Sequence, residues 1–131
     1  MNQAEDLHAI SLFLTAVREL GAAPDDRRSD RPTLCLPRVF AAAAAAESRA
    51  GNSLAARFQV YNVLNGIDCP DFRDGLALAR AAGLIAMEYG PSFAFFRPIM
   101  SGRQAARWQA DPDYPAAKAL AAAYLRLTLC V

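Results

Sequence analysis

Residues able to do acid–base or nucleophilic chemistry are few and scattered in this chain. One histidine, His8, and three cysteines, Cys35, Cys69 and Cys130, stand among 131 residues. Nucleophilic catalysis needs a serine or cysteine with a base at hand, and none here has a histidine nearby in sequence or sits in an elbow motif. The cysteines are isolated and odd in number, so they supply neither zinc-ligand spacing nor a disulfide framework, and a reducing cytoplasm is the expected setting. Scattered single cysteines of this kind read as small buried apolar side chains. Asp25 with Asp26, and Asp111 with Asp113, are carboxylate pairs in loops and helix caps where structural roles suffice. The glycines punctuate helices and form no phosphate cradle. No enzyme, metal site or cofactor is expected, and His8 reads as a surface histidine on the polar side of the first helix.

What remains is arginine. Across 70–82, at about 100° per residue, Phe72, Gly75, Leu76, Leu78, Ala79 and Ala82 share one face, while Arg73, Ala77 and Arg80 line the opposite side. Pro70 suits the first turn of a helix, since the N–H it lacks has no partner there, and Asp71 and Asp74 place negative charge near the positive end of the helix dipole. Gly83 stops the helix, because a left-handed cap is sterically cheap for glycine. Two runs rich in aromatic and branched residues, 84–89 and 92–97, then flank the turn signal Gly90-Pro91, which predicts a hairpin ended by Pro98. Phe93, Phe95 and Phe96 cannot all face inward, so at least one is a rim or interface residue.

A helix ending in ARAAGLI, followed at once by a hairpin whose second strand is SFAFFRP, resembles the recognition helix and wing of winged helix-turn-helix domains. The resemblance covers 52–98. It implies a helix over 52–65, a turn over 66–69, and a third strand at 33–36 beside the hairpin. It further implies that Arg73 and Arg80 enter the major groove of duplex DNA while Arg97 meets phosphate. The chain departs from the pattern at the expected wing tip, 87–92, which carries Glu88 and no lysine or arginine, and at Asp71 and Asp74, which repel phosphate. Arg103 and Arg107, just past the wing, are the compensating cations.

Around this core, a helix over 4–21 presents Leu7, Ile10, Phe13, Leu14, Val17 and Leu20 as an apolar stripe, with Leu12 on the polar side beside Ser11, Thr15 and Glu19, where it is either covered by another element or exposed in an interface. Residues 21–37 mix three prolines with interleaved acids and bases and read as a solvated loop. A proline-led, alanine-rich helix follows over 37–50, with Gly51 as its stop. In the helix expected over 52–65, Leu54, Phe58, Tyr61 and Leu64 share a face that includes Arg57, whose stem can cover apolar surface while its head reaches water or an acid. Two helices close the chain over 101–130, the last so widely apolar, through Tyr124 and Leu125, that it wants two neighbours.

The expected fold is thus mainly α with a small β-hairpin: a single domain, 1–131, with a winged-helix-like core at about 37–98 and extra N- and C-terminal helices. With 14 basic and 13 acidic residues the net charge is +1, which does not by itself announce a nucleic-acid partner. Two functions are expected. The first is a DNA-binding transcriptional regulator, dimeric through its terminal helices. The second is an adaptor or inhibitor that binds another protein through Phe93, Phe95 and Phe96 or through Leu12, Tyr124 and Leu125. No leader peptide or membrane span is expected.

Overall fold

A computed structural model describes residues 3–21, 33–34, 36–64, 66–89 and 94–128. The elements in chain order are α1 (Gln3–Leu20), β1 (Thr33–Leu34), α2 (Pro37–Arg49), a 3₁₀ turn (Ala55–Arg57), β2 (Tyr61–Val63), β3 (Gly66–Asp68), α3 (Pro70–Ala81), β4 (Ile85–Tyr89), β5 (Ala94–Pro98), α4 (Gly102–Gln109) and α5 (Tyr114–Thr128). The chain is therefore mainly helical with small antiparallel sheets, as expected. In one sheet the order is β1–β5–β4, so the short strand expected near 33–36 does join the hairpin, pairing Thr33 with Phe96 and Leu34 with Phe95. The second sheet is the separate hairpin β2–β3.

Local chemistry sets the limits of α2 and α3. Each begins at a proline, and Gly51 and Gly83, at φ +92° and +77°, take the left-handed conformation just past their ends. After α3 the Gly83 N–H bonds the Arg80 carbonyl at 3.1 Å and the Leu84 N–H bonds that of Ala79 at 2.9 Å. This paired arrangement satisfies the last carbonyls and turns the chain directly into β4.

The helix expected over 52–65 does not form. Asn52 accepts from the Ala55 N–H at 3.0 Å through Oδ1 and donates to the Ala116 carbonyl at 2.9 Å through Nδ2, which caps a single 3₁₀ turn and ties it to α5. Beyond it, Val60, Tyr61, Val63 and Ile67 have the branched and aromatic character of strands, and Gly66 at φ +132° adopts a backbone that costs other residues strain. Leu54 and Phe58 are buried as their spacing suggested, whereas Tyr61 and Leu64 are 51% and 99% exposed.

The first helix also departs from its expected amphipathicity. Leu12 is fully buried, and so are Ser11 and Thr15 on what reads as the polar side. Neighbours surround α1, with α3 and α5 as its main contacts and α4 and β5 also touching it. The two hydroxyls are satisfied inside the helix, Ser11 donating to the Leu7 carbonyl at 2.5 Å and Thr15 to that of Ser11 at 2.7 Å. Polar side chains that bond their own backbone can be buried cheaply, and that is what hid this face from the sequence pattern.

At the centre lies an aromatic cluster. Phe40 stacks on Phe72 with centroids 4.1 Å apart and meets Phe13 and Phe58 edge-on at 5.1 and 4.9 Å, while Tyr124 packs edge-on to Phe13 at 5.4 Å. One ring from each of α1, α2, α3 and α5 is thereby locked together. Truncating Phe40 to alanine leaves a cavity among four partners and is expected to cost about 3–5 kcal/mol, a large part of a typical domain's stability. Chemical denaturation with an unchanged m-value checks this; a loss below about 1 kcal/mol contradicts the central placement.

One buried charge works against the fold. Asp6 is 7% exposed and its Oδ1 has no hydrogen-bond partner among the described residues. Burial, and then the charge of Asp71, raise its carboxyl pKa. A raised carboxyl pKa means that the folded state holds a proton more tightly than the unfolded one. The contribution is therefore fully present below the unfolded value and is lost as pH rises through the folded value. Asp6→Asn is expected to raise the melting temperature at neutral pH by about 3–5 °C, corresponding to about 1 kcal/mol, with the advantage shrinking in acid. An equal effect at every pH contradicts the assignment.

Candidate functional site

The exposed side of α3 and the β4–β5 hairpin enclose a groove of about 610 Å³. Its floor and walls are Leu76, Ala77 and Ala81 from α3, Met87 and Tyr89 from β4, Ala94 from β5, and Pro37 at the start of α2. Arg73 and Arg80 line it as the stripe on α3 predicts, seven residues and so about 10 Å apart along the axis. The opposite face of α3 explains why this one is presented. Phe72, Gly75, Leu76 and Ala79 are buried, and Gly75 lies so close to α1 that a Cβ there would stand 3.0 Å from that of Ile10.

A second concavity of about 570 Å³ adjoins the first, sharing Pro37 and Arg73 with it and bounded by Leu36, Arg38, Val39, Val63 and Asp68. Arg73 thus stands between two hairpins. Its guanidinium grips Asp68 with two bonds, Nη1 to Oδ1 at 2.7 Å and Nη2 to Oδ2 at 2.8 Å. The other expected cations are placed unequally. Arg97 pairs loosely with Glu88 across the hairpin at 3.6 Å, while Arg103 and Arg107 are exposed on α4, which packs against α1, and line neither concavity.

The expected interface residues divide more sharply. Leu12, Phe96 and Tyr124 are fully buried within the chain and present no surface to a partner. Phe96 takes the inward position of β5 and leaves Phe95 half-buried on the other face, while Leu125 is half-buried against the core. Phe93 lies outside the described residues, as do Cys35 and Cys130. The apolar residues that are in fact exposed near the grooves are Tyr89, at 69%, Tyr61 and Val63 on β2, and Leu64 just past its end. The signal for the last three was the branched and aromatic composition before Gly66, masked by a coincident helical spacing.

Two side chains with chemical potential have structural duties. Cys69 is buried at the start of α3, and desolvation pushes its thiol up to about 11, so the reactive thiolate is scarce at neutral pH. His8 is no isolated surface residue. Its Nε2 lies 2.9 Å from Asp111 Oδ2, its Nδ1 3.3 Å from an Arg57 nitrogen, and its ring meets Trp108 edge-on. Arginine only donates, so Nδ1 accepts and Nε2 carries the proton toward Asp111. The backbone N–H of Asp113, and then His8, hold the Asp111 carboxyl below the ordinary range. Arg57 also reaches the Glu5 carbonyl, so this cluster clasps α1 to the 3₁₀ turn and the α4–α5 link.

No family model, curated protein or solved structure matches the chain. The site is therefore read from its own geometry. Among the described residues no group of three or more histidine, cysteine or acidic side chains is placed to hold a metal ion, and no helix is long and apolar enough to cross a membrane.

The Arg73 hydrogen bonds are the first cause of a lowered pKa at Asp68. A lowered carboxyl pKa contributes stability that is present at neutral pH and lost as pH falls through the folded value. Carbon-detected titration of Asp68 is expected to give a midpoint below that of an ordinary aspartate, moving upward in Arg73→Ala. An unshifted midpoint in that variant contradicts the pair.

Proposed function

We propose that the chain binds duplex DNA through α3 and the β4–β5 hairpin, as a winged-helix-like transcriptional regulator. The observation that carries this reading is the exposed stripe of α3, where Arg73 and Arg80 face the same open groove as the hairpin. Two cations about two turns apart on one helix face are spaced to follow a groove edge, and a neighbouring hairpin can rest on the backbone. The succession of α1, β1, α2, α3, β4 and β5, with β1 beside β5, supports the family resemblance, while the helix that the resemblance implies over 52–65 is replaced by a 3₁₀ turn and the first strand of a hairpin whose second strand, β3, takes the place of the implied turn over 66–69. A non-enzymatic role in the cytoplasm goes with this proposal, as does a homodimer, for which Leu20 and Leu127, 39% and 40% exposed at the ends of the two terminal helices, offer apolar surface.

A second reading, a protein-docking module, is favoured by one observation. The groove lining is mostly apolar, and two of the proposed cations, Arg73 and Arg97, are already paired with Asp68 and Glu88.

Fluorescence anisotropy of a mixed-sequence duplex separates the two. Under the DNA reading, binding weakens steeply with salt, and Arg73→Ala with Arg80→Ala lowers the log–log salt slope by about two while costing tenfold or more in affinity. Absence of binding at low salt, by a protein whose circular dichroism shows it folded, removes the DNA reading and leaves the groove to a protein.

A further inference from the structure

The β2–β3 hairpin carries an expense that the fold does not explain. Tyr61 and Val63 are about half exposed and Leu64, just past the end of β2, is 99% exposed, so none of the described residues covers it. Single exposed apolar residues are ordinary, but a run of them on one projecting element marks a contact surface. The register places Tyr61 opposite Asp68 and Val63 opposite Gly66, so Val63 and Asp68 share a strand face. Both line the concavity that holds Arg73.

Resting on the proposed DNA-binding function, we infer that this hairpin is a second arm on the duplex, inserting Leu64 between base pairs from the minor groove. Three features favour that occupant. The hairpin's concavity is continuous with the α3 groove through Arg73 and Pro37, so whatever polyanion lies on α3 reaches the hairpin as well. Two guanidiniums, Arg73 and the Arg38 group that stands against Gly66, face one carboxylate, Asp68, at the base of the apolar tip, which leaves that base with a single net positive charge. The apolar run ends in the most exposed of its side chains, Leu64, whose shape suits a slot better than a groove wall, and a base step offers an apolar slot flanked by phosphates. Leucine is among the residues that wedge base steps apart in this way.

The test uses the full chain and a short mixed-sequence duplex carrying 2-aminopurine at successive positions, with anisotropy and 2-aminopurine fluorescence read on the same samples. Unstacking by the wild-type chain is expected to raise the fluorescence severalfold in step with binding. Leu64→Ser is expected to abolish the rise while weakening binding by less than about tenfold, and Leu64→Phe to retain it. Because the Leu64 side chain is 99% exposed, both variants should keep the wild-type melting temperature. Binding without a fluorescence rise, or an undiminished rise with Leu64→Ser, overturns the wedge and leaves the DNA-binding reading standing. No anisotropy change with the wild-type chain overturns both.

Discussion

The stack of Phe40 on Phe72 is the contact on which the rest of the structure depends. It holds the two helices that bear the groove, α2 through Pro37 and α3 through Arg73 and Arg80, against each other at 4.1 Å between ring centroids. Phe13 and Tyr124 close on it from α1 and α5, so that the central helix and the terminal helix are fixed by the same rings. Large rings can converge this closely because the helices around them are built of alanine. Ala41, Ala43 and Ala44 on α2, and Ala117, Ala121 and Ala123 on α5, are all buried, and small side chains allow backbones to approach. Gly75 does the same where α3 meets Ile10 of α1.

That packing converts an inward constraint into an outward site. Because Phe72, Gly75, Leu76 and Ala79 are committed to the core, helical periodicity leaves Arg73, Ala77 and Arg80 facing out. The glycine-capped end of α3 then delivers the chain at once into β4, whose Ile85 is buried and whose Tyr89 is exposed. The hairpin is thus anchored at its base and open at its far end beside α3. The same core spacing that stabilises the chain sets the width of the groove.

Much of this was legible in the sequence because it rests on short-range chemistry. Prolines and glycines mark the ends of α2 and α3, and the alternation through Phe95 and Phe96 assigns one ring to the core. The stretch 52–65 was misread because Leu54, Phe58, Tyr61 and Leu64 happen to repeat at helical spacing while Val60 to Ile67 prefer extended backbone. The tie from Asn52 to Ala116, a contact 64 residues long, ends the matter and cannot be seen locally. The clasp joining His8 to Asp111 is longer still, at 103 residues, and turns an apparently idle surface histidine into a structural one. For Ser11 and Thr15 the reason is a third one: burial of a helix on several sides leaves no polar face to read, and of the two alternatives for Leu12 it is cover by other elements that holds.

The electrostatics of the groove follow from where these pairs lie. An exposed ion pair such as that of Arg73 with Asp68 gains little in water, because solvent screens the attraction and holding two side chains in one geometry costs entropy. Its greater effect is geometric, since two parallel bonds fix the guanidinium plane and hold the side chain against the β2–β3 hairpin instead of letting it sweep the groove. A polyanion approaching α3 therefore meets an oriented donor at Arg73 with a carboxylate behind it, and an arginine at Arg80 for which no such clamp is seen among the described residues. Charge attraction at the first site is partly cancelled, so on the proposed DNA-binding reading the binding strength would come from Arg80 and from surface fitted by the two hairpins. A partner that offers both anionic edges and apolar slots satisfies that demand, while one that offers charge alone does not.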